Sequence, residues 1–318
     1  MPEILIGTSG YDYPEWRGVF YPAGLKRADF LPYYATQFNA LELNNTFYNM
    51  PTAERLLSFW ERSGGALKFS VKANRLLTHE IGRDWKSAAQ EFLAALKPLA
   101  QNKSLASALF QFPQSFHYTD QNRMYLSALL AQFRGLPVVV EFRHAEWIRP
   151  SVFEGLAERG ASLAFCDLPE LKNLPNGMAL AATQALASQK SGGQNCSKAQ
   201  EGGLPFAGKI AYIRLHGRNA SAWYAKENDA QEKECLQDHD ALPGLAASPK
   251  SAAHDRNGSA RYRYDYSDAE LSEFAPVIQQ AASQGRQVQV FFNNHPDGSG
   301  AKNAKRMREM VVQYIEEK

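Results

Sequence analysis

In VVVEFRHAEW (138–147), Glu141 and Arg143 stand two residues apart, directly after three valines. Side chains two apart on an extended chain share a face, so this strand would deliver a carboxylate and a guanidinium side by side. The same spacing recurs with Glu42 and Asn44 in ALELNN and with Arg214 and His216 in YIRLHG. A carboxylate can act as general acid or base, an arginine grips carboxylate or phosphate in bidentate fashion, and an imidazole moves protons near neutral pH. Glu42, Glu141, His216 and Asp167 are therefore the catalytic candidates, for an enzyme acting on a small polar, anionic molecule. Apolar neighbours would raise a glutamate pKa, while adjacent arginines would oppose that. Two glutamates facing each other about 5 to 10 Å apart would favour glycoside hydrolysis; isomerase and lyase chemistry stay open.

A wider set of polar and aromatic residues accompanies these four. Tyr11, Trp16, Asn44, Lys72, His79, Gln111, Arg143, Trp147, Arg214, Asn293, Asn294 and His295 are the substrate-binding candidates. Each has a plainer reading. Glu141 and Arg143 would also serve as an ion pair holding strand ends together, and Lys72 as a counter-charge in place of a Schiff-base amine. Asn293 and Asn294 suit helix capping, and the cluster Tyr11, Tyr13, Trp16, Phe20 and Tyr21 suits a packed lid as well as a stacking platform. Gly-Ser-Gly in PDGSGAKNA (296–304) would offer backbone N–H groups to an anion at a helix start. Glu42, Glu141, Asp167, His216 and His295 are ligand types for zinc or manganese, but no HExxH spacing is present. Interleaved Arg143 and Arg214 oppose a cation there, so the motifs imply no cofactor and rank a divalent metal low.

The elements that must carry these residues alternate along the chain. Strands are expected at 3–7, 40–44, 67–73, 107–112, 137–142, 162–167, 209–217 and 287–294. Helical spacing fills the intervals at about 27–38, 84–101, 150–159 and 267–284, with further helices after PTAERLL and NRMYL and a closing helix from AKNAKRM. The sixth helix has the weakest signal. Eight strands alternating with helices predict a TIM (β/α)8 barrel, parallel and eight-stranded, as a single domain over 1–318. Neither GxGxxG nor a Walker motif appears, which opposes an open nucleotide-binding sheet. Residues 183–207 and 218–260 are polar and read as surface insertions after strands six and seven. Because barrel active sites lie at the C-terminal ends of strands, every candidate above falls on one rim.

Composition is consistent with this picture. The chain has 318 residues, 44% hydrophobic and 21% charged, which excludes a fully disordered chain. A net charge of +2 gives no general bias toward nucleic acid or membrane. No long apolar run or secretory leader stands out, and three cysteines without CxxC spacing fit a reducing, cytoplasmic setting.

Six ordered segments resemble one family. GTSGYDYPEWRGVFYP (7–22), LELNNTFYNMP (41–51), ALFQFPQSF (108–116), VEFRHAEW (140–147), YIRLHGR (212–218) and FFNNH (291–295) are similar to the YecE-like family, domain of unknown function family 72. The resemblance spans nearly the whole chain and implies a TIM-barrel fold and a candidate pocket, with no reaction attached. Alternatives to the enzyme are a nucleic-acid-binding or processing barrel, using the aromatic loop for base stacking, and a non-catalytic metabolite-binding barrel.

Overall fold

A computed structural model describes residues 3–175, 206–223 and 260–316. Its strands are β1 (Ile4–Ser9), β2 (Ala40–Leu43), β3 (Lys68–Lys72), β4 (Leu105–Phe112), β5 (Val138–Phe142), β6 (Ala161–Asp167), β7 (Ile210–Leu215) and β8 (Gln287–Phe292). They pair in parallel in sequence order, and β8 closes on β1 through Ile4 opposite Val288 to Thr8 opposite Phe292. The α-helices among the described residues are α1 (Phe30–Gln37), α2 (Ala53–Arg62), α3 (Trp85–Gln101), α4 (Asp120–Gln132), α5 (Pro150–Glu158), α6 (Asp268–Ser272), α7 (Ala275–Ser283) and α8 (Ser299–Glu316). The expected TIM-like (β/α)8 barrel is present. No helix of the described residues is long and apolar enough to cross a membrane.

Strand alternation sorts the core into two layers. Leu43, Val71, Phe110, Phe142, Phe165, Leu215 and Phe292 belong to the large cluster that includes the outer helices. Leu5, Ala40, Leu109, Val139, Ala164, Ile210, Tyr212 and Phe291 form a smaller cluster inside the barrel. The interior is also polar: Ser107 Oγ reaches Ser70 Oγ (3.0 Å) and Gln289 Oε1 (2.8 Å), all fully buried. Gly7 is required by closure, since a Cβ there would lie 2.0 Å from the Ala40 carbonyl oxygen on β2. Tyr34 Oη donates to that same carbonyl (3.0 Å) and accepts from the Thr8 N–H (2.8 Å), tying α1 to both strands.

Two expectations need correction. The single helix expected near 267–284 is two, α6 and α7, because Pro276 near the start of α7 cannot supply the N–H that a continuous helix requires. The edges of both expected insertions are part of the barrel. Phe206 and Ala207 are buried, with Phe206 edge-on to Phe165 at 4.6 Å, and Trp223 is buried. Residues 176–205 and 224–259 lie outside the described residues, and with them most of the interval of the sixth helix.

Candidate active site at the barrel mouth

β2, β5 and β7 bring Glu42, Glu141 and Arg214 together inside the barrel, where all three are essentially inaccessible to solvent. Arg214 bridges the two carboxylates: Nη2 donates to Glu42 Oε1 (2.6 Å) and Nη1 to Glu141 Oε2 (2.7 Å). Glu42 also accepts from Ser9 Oγ (2.6 Å) and Tyr212 Oη (2.5 Å). Because Tyr212 spends its proton on Glu42, Ser70 must be the donor in the 2.7 Å Ser70–Tyr212 contact. Three fixed donors, from Arg214, Ser9 and Tyr212, therefore hold one buried carboxylate.

Glu141 stands between two guanidiniums. Its Oε1 is 2.5 Å from Arg143 Nε, an ion-pair contact outside hydrogen-bond geometry. Burial would raise its pKa, but Arg143, Arg214 and the Arg214 hydrogen bond together hold it down to about 2. Glu141 is therefore ionised at neutral pH and offers no proton. The separate acid that a paired-carboxylate glycosidase requires is not supplied by Glu141, and both glutamates are engaged by the same arginine.

His216 is fully buried beside this cluster. Arg143 Nη2 lies 3.2 Å from its Nε2, and the Asn293 amide lies 3.0 Å from its Nδ1. An arginine can only donate, so Nε2 is the unprotonated nitrogen and the neutral ring carries its proton on Nδ1, which the Asn293 amide accepts once its nitrogen and oxygen are exchanged. Burial, then Arg143, Arg214 and Lys72, hold the pKa of His216 well below its ordinary value. It is a neutral ring whose free lone pair is turned toward Arg143.

Lys72 behaves differently. It ends β3 on the inner face, and its ammonium sits 4.3 Å from the Phe47 ring centroid. It makes no hydrogen bond or ion pair with any described residue. Burial, with Arg214 next, lowers its pKa to about 8, against the opposing pull of Glu141 and Glu42. Phe47 carries His79 on its other contact, edge-on at 4.7 Å, which brings His79 to the same side of the mouth. Lys72, Arg143 and Arg214 thus face Glu42 and Glu141: three cations to two carboxylates, a surplus of one positive charge.

The remaining candidates separate into mouth and support. Gln111 is buried on β4 and donates to its neighbouring Phe112 carbonyl (2.9 Å). Asn44 follows β2, and its buried Oδ1 has no hydrogen-bond partner. His295 stacks on Tyr13 at 4.6 Å, and burial holds its pKa down to about 4. Tyr11 and Trp16 are buried in the aromatic cluster of the first loop, and Trp16 Nε1 donates to the His295 carbonyl (2.8 Å). Trp147 lies on the outer side, stacked on Phe142 at 4.3 Å. Asn294 also points outward and donates to the Tyr264 carbonyl (2.8 Å) and Asn303 Oδ1 (2.7 Å).

The structure places Asp167 away from the mouth, on the outward face it shares with Leu163 and Phe165 on β6. There it takes a bidentate contact from Arg218 (3.0 and 3.1 Å) and a hydrogen bond from Tyr266 Oη (2.7 Å). Arg218 extends the clasp to Glu273 (2.8 Å), tying the ends of β6 and β7 to the α6–α7 segment. The inward residue of that strand end is Cys166, whose thiol pKa is raised by burial and by Glu141. The start of α8 is also closed: Gly298 and Ser299 are buried, and a Cβ at 298 would strike Val19 Cγ1 at 2.6 Å. An anion at that helix start would have to displace the first loop.

Sequence reasoning missed Ser9, Ser70, Tyr212, Cys166 and Tyr262. The parity that joins Arg214 to His216 also places Tyr212 on the inner face, so that signal was present. Tyr262, 5.9 Å from His216 and 6.1 Å from His295, comes from a segment with no strand pattern and left no such signal. Glu141, Cys166 and His216 have ligand atoms within 4.8 Å of one another. They do not suit a cation, since both glutamate oxygens and the His216 lone pair already face guanidinium groups.

The sequence profile of the family "Protein of unknown function DUF72" matches residues 5–317. UPF0759 protein YunF of Bacillus subtilis (strain 168) is 24% identical over 98% of this chain and 96% of its own length. UPF0759 protein YecE of Escherichia coli (strain K12) is 26% identical over 52% of this chain and 59% of its own length. A DUF72 family protein from Thermotoga maritima MSB8 is similar in structure at TM-score 0.73 and 27% identity, covering 98% of this chain and 99% of that one. One from Enterococcus faecalis V583 shares the fold at TM-score 0.68 and 21% identity, over 97% and 95% of the two chains. With the match running nearly end to end, this chain belongs to the DUF72 family.

Proposed function

We propose that the protein is an enzyme acting on a small anionic substrate at the C-terminal mouth of its barrel. The observation that carries this reading is the surplus cation: Lys72 lies among Arg143, Arg214, Glu141 and Glu42 with no carboxylate of its own. An anion entering the mouth would complete the charge balance, with Lys72 and the partly exposed Arg143 as its contacts. Glu42, Glu141 and Arg214 then serve as the fixed frame that holds Arg143 and His216 in position.

Lys72 is also the group best suited to proton transfer. A catalytic acid or base works best with a pKa near the operating pH, and Lys72 at about 8 meets that condition where Glu141 at about 2 does not. Proton abstraction or return next to a carboxylate or phosphate, as in isomerase or lyase chemistry, fits this arrangement better than hydrolysis by paired carboxylates. The buried positions of Tyr11, Tyr13 and Trp16 oppose base stacking on the first loop. Three cysteines without CxxC spacing support a cytoplasmic setting.

The test is thermal stabilisation by inorganic phosphate and by a panel of phosphorylated and carboxylated metabolites, followed by mass spectrometry for turnover of each binder. Wild-type protein is expected to be stabilised by an anion that Lys72→Met no longer recognises, and to convert one of the binders. Binding without conversion would make the barrel a metabolite binder. Salt-dependent binding of single-stranded nucleic acid, with no response to small anions, would overturn the reading.

A further inference from the structure

We propose that His117, His144 and Glu146 form a second site, apart from the barrel mouth, that binds a divalent metal ion of the zinc class. His117 comes from the loop between β4 and α4, whereas His144 and Glu146 follow β5. His144 is adjacent in sequence to Arg143 but lies on the opposite side of the strand end, packed edge-on to His117 at 4.6 Å between ring centroids.

The geometry around Glu146 is that of co-ligands on one ion. His117 Nδ1 and His144 Nδ1 each lie 3.6 Å from the same carboxylate oxygen, Oε2. That is too long for a hydrogen bond. It is close to the separation of about 3.4 Å expected between nitrogen and oxygen ligands of a tetrahedral zinc ion. Ligand atoms of all three residues fall within 4.8 Å of one another, and the half-exposed His117 has room to close that gap.

The surroundings prepare the ligands. The Tyr118 backbone N–H donates to Glu146 Oε2 (3.2 Å), fixing the carboxylate. The Glu146 backbone N–H reaches His144 Nδ1 at 3.3 Å, so this nitrogen is the unprotonated one, and an ion bound there would take over the lone pair that now accepts this long hydrogen bond. His144 is buried, whereas His117 and Glu146 are half exposed, leaving further coordination positions to water or a ligand. The neighbouring Arg149 is otherwise engaged: it donates to the Glu146 carbonyl (2.6 Å) and lies over the Tyr118 ring at 4.1 Å. Unlike the mouth cluster, no guanidinium occupies the metal position.

The experiment uses tag-free, chelator-treated full-length protein, titrated with zinc chloride by calorimetry and with cobalt chloride by visible absorption. One ion is expected to bind with cobalt bands of nitrogen and oxygen coordination. His117→Ala and Glu146→Gln, both at exposed positions, should each weaken zinc binding at least about tenfold. No uptake by wild-type protein would overturn the proposal. So would undiminished binding in both variants, or binding abolished by Cys166→Ala while both variants keep it.

Discussion

Glu141→Gln tests whether the buried cluster is an ion frame. A carboxyl group held at about 2 in the folded chain, against an ordinary 4.5, contributes on the order of 3 kcal/mol at neutral pH. The independent expectation for removing one partner of a buried ion pair is about 3–5 kcal/mol, the same range. Since the folded pKa lies below the unfolded one, the contribution is whole above about pH 4.5 and fades as pH falls toward the folded value. By about pH 3.5 the difference between wild type and variant should shrink to roughly 2 kcal/mol. Urea unfolding followed by circular dichroism, for both proteins at neutral and acid pH, measures this gap. A gap that stays constant with pH, or widens in acid, would refute the assignment of Glu141 as an ionised frame residue.

Four further outcomes follow from the geometry. Lys72→Met removes a desolvated cation without its own carboxylate, so it should leave the melting temperature unchanged or raise it while abolishing anion binding; a loss of stability would show that Lys72 is a structural counter-charge. Because the binding form of Lys72 is protonated, anion affinity in wild type should be full below about pH 8 and fall roughly tenfold per pH unit above it, which calorimetry across that range would read. Trp16→Ala should cost about 3–5 kcal/mol in thermal or urea unfolding, since the indole is wholly buried and bonded to the His295 carbonyl; a cost under about 1 kcal/mol would mean the first loop is not part of the core. Asp167→Asn should lower stability by about 1–3 kcal/mol through the Arg218 and Tyr266 contacts and leave anion affinity untouched; altered affinity would place Asp167 in the site.

Polar residues at the mouth do two kinds of work on neighbouring positions. Glu42, Glu141 and Arg214 satisfy one another so fully that little of their chemistry remains available to a substrate. Lys72 holds the available charge because that frame, closed on Glu141 by Arg143, is complete without it. Net formal charge for the chain is only +2, so this local surplus does not show in the bulk composition. It appears only where four strands, β2, β3, β5 and β7, converge.

The period-two spacing within strands identified the inward residues Glu42, Glu141, Arg143, Arg214 and His216, because alternation is a property of the extended backbone alone. The regular exchange of strand and helix patterns likewise specified the barrel, and applying the same parity to β6 would have set Asp167 on the outer face with Leu163 and Phe165. What the chain alone could not decide was partnership. Whether Glu141 is a catalytic acid or a clamped anion depends on Arg214 and Arg143 sharing its oxygens, and pKa is set by distances across strands. Lys72 and its surplus charge, the closure of the α8 start by Val19, and the meeting of His117 with His144 and Glu146 arise from loops and strands far apart in sequence. Only barrel closure brings them within a few ångströms, where Coulomb and hydrogen-bond forces act.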